Sequence, residues 1–359
     1  MNCAMQRIVF NIFLWIIMMQ IPEGLSAQIL SGIVFDRKNQ EPVPGAHVYL
    51  DGSSWIDVTN TEGRFDIKVN SILYLSLVIS HVSYQTVTVS SPFTSLPDTI
   101  FVEEKTNLLS EVVIRPGRYS RKQLLDVFRD EFLGMSSGAR SCKIENEDKI
   151  DLWYNERAHV LSASCDEPIR VHNQFLGYRI YVTLTKFETA FTYQQLGVGP
   201  SIITMITSSF FEDLEPDNRR IAARRESVYK GSRTHFLRAL VTNPSERKEY
   251  RLYGRLDVLN NIFNEISFVD CFTVIDSLGM KKIIVNDKFN MGADATYAGR
   301  PYFGRLNVVR RSEHTSLIFY TNTFETDVLG NLDKPDILVS GYMGSLRIGD
   351  ALPANYNAY

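Results

Sequence analysis

Six histidines, four cysteines and a run of acids from residue 212 to 217 are the side chains of this 359-residue sequence best suited to chemistry. A zinc peptidase needs two neutral imidazoles and a carboxylate converging on the metal, usually as H-x-x-E with a distant histidine. None of His47, His81, His159, His172, His235 or His314 is followed by glutamate three residues on, which removes that form of peptidase. His159, Cys165 and His172 lie close in sequence, but their spacing matches no metal site, and they read as ordinary sheet residues. There is no G-x-S-x-G elbow for a nucleophile, and Gly197-Val198-Gly199 lacks the third glycine of a dinucleotide loop. Glu212, Asp213, Glu215 and Asp217 keep one alternative open, an envelope hydrolase acting on glycan or peptide through a carboxylate pair. The competing reading is a solvated loop. No catalytic, cofactor-binding or metal-binding residue is assigned, and no cofactor is expected.

Two features point to binding instead. Arg219, Arg220, Arg224 and Arg225 crowd one helical stretch and could grip anionic sugars, phosphates or lipid headgroups, unless they form a solvated helix face offset by Asp213, Glu215, Asp217 and Glu226. Trp55 lies in a strand-linking segment, as an exposed contact residue or as a cap on the end of a sandwich.

The elements that must position these residues are mostly strands. Between Ser31 and Val69, Ala46, Val48 and Leu50 alternate with His47 and Tyr49, and Phe65, Ile67 and Val69 repeat the period-2 pattern of a half-buried strand. Ile33 and Phe35 are expected on the inner face of the first strand. Asn60-Thr61-Glu62-Gly63 reads as a turn in which Gly63 takes positive φ. Further on, Ser120 caps a helix with Leu124, Leu125, Phe128 and Phe132 on one stripe and Gly134 at its stop. Strands at 149–155, 159–164, 169–173 and 178–186, the last continued by 187–196, suggest an antiparallel meander. Asp217 or Asn218 caps one helix and Ser232 the next, with Gly231 between them and Asn243-Pro244 at the end. His235 then falls one turn inside a packing helix, a structural place. Strands are expected again at 250–255, 266–274, 282–289, 306–309, 317–324 and 337–342.

The pieces Gly32–Val34, Pro42–Val48 (P-V-P-G-A-H-V) and Thr59–Phe65 (T-N-T-E-G-R-F) together resemble the carboxypeptidase regulatory-like domain. The resemblance covers roughly residues 28 to 115. It implies a seven-stranded prealbumin-like or Ig-like sandwich without an active site. The segment Leu109–Ile114 is similar to the exit strand seen where such a domain precedes other modules of the Gram-negative envelope. More weakly, Arg170–Asn173 with Leu176–Tyr178, Tyr229–Ser232 with His235–Leu240, and Leu352–Tyr356 resemble envelope proteins in which this sandwich precedes a β-rich domain, and they bring no catalytic residues with them.

Met1–Ala27 reads as a secretory signal peptide, with Arg7 ahead of an apolar stretch that Asn11 and Gln20 shorten below a membrane span. A net charge of −3 argues against nucleic acid as a partner. Cys142, Cys165 and Cys271 remain after the signal, an odd number that cannot fully pair, although a Cys142–Cys165 bridge is conceivable. The expected fold is mainly β: a signal peptide (1–27), a sandwich (28–103), a linker with an exit strand (104–117) and a larger antiparallel β-rich domain with a few helices (118–359). The expected role is a non-catalytic, exported binding or scaffolding protein of the periplasm or outer-membrane surface. Its partner would be an envelope protein or glycan, and membrane association would be peripheral at most.

Overall fold

The computed structural model describes residues 28–70, 73–105, 118–193, 195–199, 201–254, 265–277, 280–289, 295–297, 299–332 and 337–356. The signal segment and the exit strand at 109–114 lie outside them. The chain is mainly β, in antiparallel sheets with few helices.

Seven strands build the first unit: β1 (Gln28–Asp36), β2 (His47–Leu50), β3 (Ile56–Val58), β4 (Arg64–Val69), β5 (Leu77–His81), β6 (Tyr84–Val89) and β7 (Thr99–Val102). They form two sheets, ordered β4-β1-β7 and β3-β2-β5-β6. Val34, Val48, Leu50, Phe65, Ile67 and Ile79 fill the space between them. Gly63 takes φ +73°, and a Cβ there would lie 2.5 Å from the Val34 carbonyl oxygen, so the turn requires glycine. The phase expected for β1 is off by one residue. Leu30, Val34 and Asp36 are buried, while Ile33 and Phe35 are only half-buried. The reason is Gly32: the Phe65 ring occupies the space a Cβ there would need, and that close approach fixes the even-numbered residues inward.

The second region has two hydrophobic cores. In the first, α1 (Arg121–Leu133) packs on a six-stranded sheet of β8 (Cys142–Ile144), β9 (Asp151–Asn155), β10 (Val160–Ser164), β11 (Ile169–Asn173), β12 (Tyr178–Phe191) and β13 (Ser201–Asp213). Ser120 and Gln123 close a capping box at the start of α1, and Phe128 stacks between Phe132 and Phe187. The sheet is not a simple meander. One edge of the long β12 pairs with β11 and then with β10, while β13 runs along its whole other edge. A bulge between Leu184 and Lys186 resets the alternation so that Phe187 returns to the core.

Two helices follow, α2 (Arg219–Tyr229), capped by Asn218, and α3 (Arg233–Val241), capped by Ser232. The second core lies around Phe236, Leu237 and Leu240 of α3. Its strands are β14 (Arg251–Tyr253), β15 (Glu265–Ile266), β16 (Phe272–Ser277), β17 (Met280–Val285), β18 (Thr296–Tyr297), β19 (Arg300–Pro301), β20 (Gly304–Arg310), β21 (Glu313–Phe319), β22 (Thr323–Thr326) and β23 (Ile337–Gly341). They form sheets ordered β15-β14-β20-β21-β23 and β16-β17-β22, with β18-β19 as a separate pair. The strands expected at 266–274 and 317–324 are each broken. Ser267 caps a short helix at Phe268–Cys271, and a turn separates Phe319 from Thr323.

The sandwich is docked on the six-stranded sheet. Tyr49 and His47 point out of β2, where a lone sandwich would meet water. Here they pack on Phe210, with ring centroids 4.8 and 5.4 Å away, and Tyr181 stacks on Phe210 at 4.4 Å. The loop after β2 adds backbone bonds: Gly52 N–H to Ser209 O at 2.7 Å and Phe211 N–H to Ser53 O at 2.9 Å. The Asp51 carboxylate accepts from Ser209 N–H at 2.8 Å, although burial pushes its pKa up. On the other side of that loop, Ala354 N–H donates to Gly52 O and the Asn355 side chain accepts from Ser54 N–H. Residues 51–54 are thus held between β13 and the C-terminal segment.

Candidate functional site

The residues singled out for binding separate on burial. Trp55 is 9% exposed and packs into the sandwich core, so it seals the sandwich instead of presenting an exposed contact. Arg225, 6% exposed, is also removed as a surface contact. Its guanidinium lies 3.9 Å over the Tyr178 ring, makes two bonds to the Asp213 carboxylate at 2.6 and 2.7 Å, and donates to Leu176 O. Arg224 is half-buried over Phe175. Only Arg219 and Arg220 of the four are exposed. The helix therefore uses its charges in two ways, and the sequence alone does not mark which arginine turns inward.

The acids nearby are tied to structural partners. Asp213 holds Arg225, Glu212 accepts from Arg179 and Tyr181, and Glu215 accepts from Asn218. Ser232 and His235 do not form a nucleophile–base pair. The Ser232 hydroxyl accepts from the backbone N–H of His235, as a helix cap does. The His235 ring is fully buried, and its Nδ1 accepts from Gly231 N–H at 3.0 Å and faces the Tyr250 hydroxyl at 2.5 Å. That leaves the ring proton on Nε2, 3.1 Å from the Glu246 carboxylate. Burial keeps the imidazole below its ordinary pKa, although Glu246 and Glu249 pull the other way. The arrangement joins α3 to the segment 244–250 that leads into β14.

Among the described residues no disulfide forms: Cys142 and Cys165 are half-buried and Cys271 is buried, and burial pushes Cys142 up to about 12. His159 sits in the turn before β10 and His172 in the middle of β11. Among the described residues no group of three His, Cys, Asp or Glu side chains could hold a metal.

An open surface site lies elsewhere, on the outer face of the five-stranded sheet. A cleft of about 660 Å³ is lined by Arg251, Tyr253, Asn307, Val309, Arg311, His314 and Ser316, with Thr315, Ser340 and Gly341 at its side. The register sets the residues in rows. Tyr253, Asn307, Ser316 and Ser340 stand opposite one another across four strands, and Arg251, Val309 and His314 form the next row. Arg305 donates to Ser316 Oγ at 3.0 Å, and Ser316 donates to Asn307 Oδ1 at 2.7 Å, so the polar row is fixed in orientation. The opposite face of the same strands takes up the acids: Arg310 points inward to Glu249 at 3.0 Å and Glu313 at 3.3 Å. Burial alone would raise Glu249, and Arg310 more than reverses it. No motif or spacing in the sequence marks these cleft residues. Their one signal was the phase of β20, with Leu306, Val308 and Arg310 on one face and Arg305, Asn307 and Val309 on the other.

With the sandwich described, the comparison with known families becomes specific. Residues 30–114 match the CarboxypepD_reg-like domain. The match spans about a quarter of the chain and coincides with the seven-stranded unit. A CarboxypepD_reg-like domain is a non-catalytic, Ig-like module, and it says nothing of the chemistry of residues 118–356. No curated protein matches the chain.

Proposed function

We propose that this chain is an exported, non-catalytic protein of the Gram-negative envelope, at the periplasm or the outer-membrane surface. In this reading the CarboxypepD_reg-like sandwich braces a β-rich region that binds an envelope protein or glycan. The observation that carries the reading is the docking of Tyr49 on Phe210, with residues 51–54 held by β13 and the C-terminal segment. A module that spends its outer sheet face on its own chain acts as a support, and the binding surface then falls to the sheet that remains open. Among the described residues the candidates His235, Glu212 and Asp213 are held in structural pairs. Among the described residues no helix is long and apolar enough to cross a membrane.

The test has two arms. The purified protein should turn over neither peptide nor glycan panels, with or without zinc or calcium. Cross-linking in the native envelope should recover it with another envelope component. Turnover of any substrate, abolished by changing one acid or histidine without unfolding the protein, would replace this reading with the hydrolase.

A further inference from the structure

We infer that the cleft on the outer face of β14, β20, β21 and β23 binds an acidic saccharide, a sugar unit carrying a carboxylate or sulfate. This rests on the binding reading above and names the ligand class of that surface.

Charge is the first argument. The chain as a whole carries −3, yet the described lining of this cleft holds Arg251, Arg311 and His314 and no carboxylate. Among the described residues neither Arg251 nor Arg311 has an acidic partner, whereas Arg310, one residue from Arg311, has two. Glu313 of β21 is drawn to the inner face with Arg310, which leaves the cleft lining itself net positive. Glu265 pairs with Tyr253 on the edge strand and is exposed, but it stands outside the lining.

The backbone supplies a second, independent argument. Arg311 sits in the β20–β21 turn at φ +51°, a conformation that favours glycine or asparagine. A residue kept in a strained turn is a reason to look for a role, and this one lines the cleft.

The shape of the recognition surface separates a sugar from a peptide. The backbone groups of β14, β20 and β21 are paired on both sides, so an extended peptide lying on this face finds no ladder at the centre of the cleft. Among the described residues only β23, of the strands that line the cleft, keeps an edge open to one. At the centre, side chains alone must recognise the ligand. The Tyr253 ring and the Ser340 hydroxyl face a polyhydroxyl ring, Asn307 and Ser316 keep one spare N–H and one spare lone pair beside their internal bonds, and Arg251 and Arg311 offer planar donor forks to its oxyanion. The volume falls within the usual range for small-ligand clefts.

The experiment is calorimetric titration of the purified protein with four probes: tetragalacturonate, a heparin-derived tetrasaccharide, neutral maltotetraose and hexaglutamate. One or both acidic sugars should bind, more weakly as salt rises, and the neutral sugar and the peptide should not. The Arg251→Gln/Arg311→Gln double variant should lose at least about tenfold in affinity at an unchanged melting temperature. Arg157→Gln, in the exposed turn before β10, should bind like the parent. Preference for the carboxylated or the sulfated probe tells the two sources apart. Binding of maltotetraose or hexaglutamate as tight as that of the acidic sugars, or no loss in the double variant, overturns the assignment. If no sugar binds while envelope cross-linking persists, this inference fails and the binding-protein reading stands. Turnover of a probe would sink both.

Discussion

Two sheets in this molecule each turn one face away from their own core, and they treat it differently. The outer face of β2 and β5 carries Tyr49 and Val78, both buried against Phe210 of the neighbouring sheet. The outer face of β14, β20 and β21 carries Arg251, Asn307 and His314 and stays open. An aromatic face exposed to water would be an association hazard, so its burial within the chain explains its composition. A cationic face gains nothing from such burial, because each guanidinium would need a buried partner. Side-chain chemistry therefore separates an internal joint from an external surface, even though both are faces of antiparallel sheets.

The largest effect should come from breaking the joint. Phe210→Ala removes the ring on which Tyr49, His47 and Tyr181 converge, with an expected loss of ~3–5 kcal/mol. Arg251→Ala on the open face should stay within ~0.5 kcal/mol. Thermal unfolding of both variants checks the contrast, and equal losses would erase it.

Arginines sharpen the same comparison at one residue type. Arg225→Met strands Asp213 and removes the cation over Tyr178, and should cost about 3 kcal/mol. Arg311→Gln should cost almost nothing, since that side chain has no acidic partner among the described residues. Chemical denaturation midpoints of the two variants measure the difference.

A smaller effect lies beneath the open sheet. The unfolded chain protonates His235 near 6.5, while burial holds the folded imidazole below that value. Stability from this group is complete above about 6.5 and drains as pH falls through the lower folded pKa. The melting temperature should therefore drop on acidification, and His235→Gln should flatten that drop. An unchanged slope would mean that the imidazole is not held neutral.

Much of this contrast was readable before any coordinates, and part of it was not. The alternation of Ala46, Val48 and Leu50 and the turn at Gly63 placed the sandwich correctly, because period and turn chemistry are local. The phase of β1 was misread because Gly32 makes way for Phe65, which lies far along the chain. Arg225 looked like its neighbours on α2, since only the tertiary position of Asp213 and Tyr178 draws it inward. For Trp55 the sequence allows a contact or a cap, and its packing into the sandwich core makes it the cap. The cleft residues carry no motif. They meet only through the register of β14 with the β20–β21 hairpin, which lies some fifty residues further along the chain.

Hydroxyl-radical footprinting of the native protein tests the central contrast most directly, because it reads the exposure of both faces in one sample. Tyr49 and Phe210 should be protected to the level of core residues such as Phe65, while Tyr253 and His314 should be labelled readily. Strong labelling of Tyr49 and Phe210, with Tyr253 and His314 protected, would show that the joint and the open face have been assigned the wrong way round.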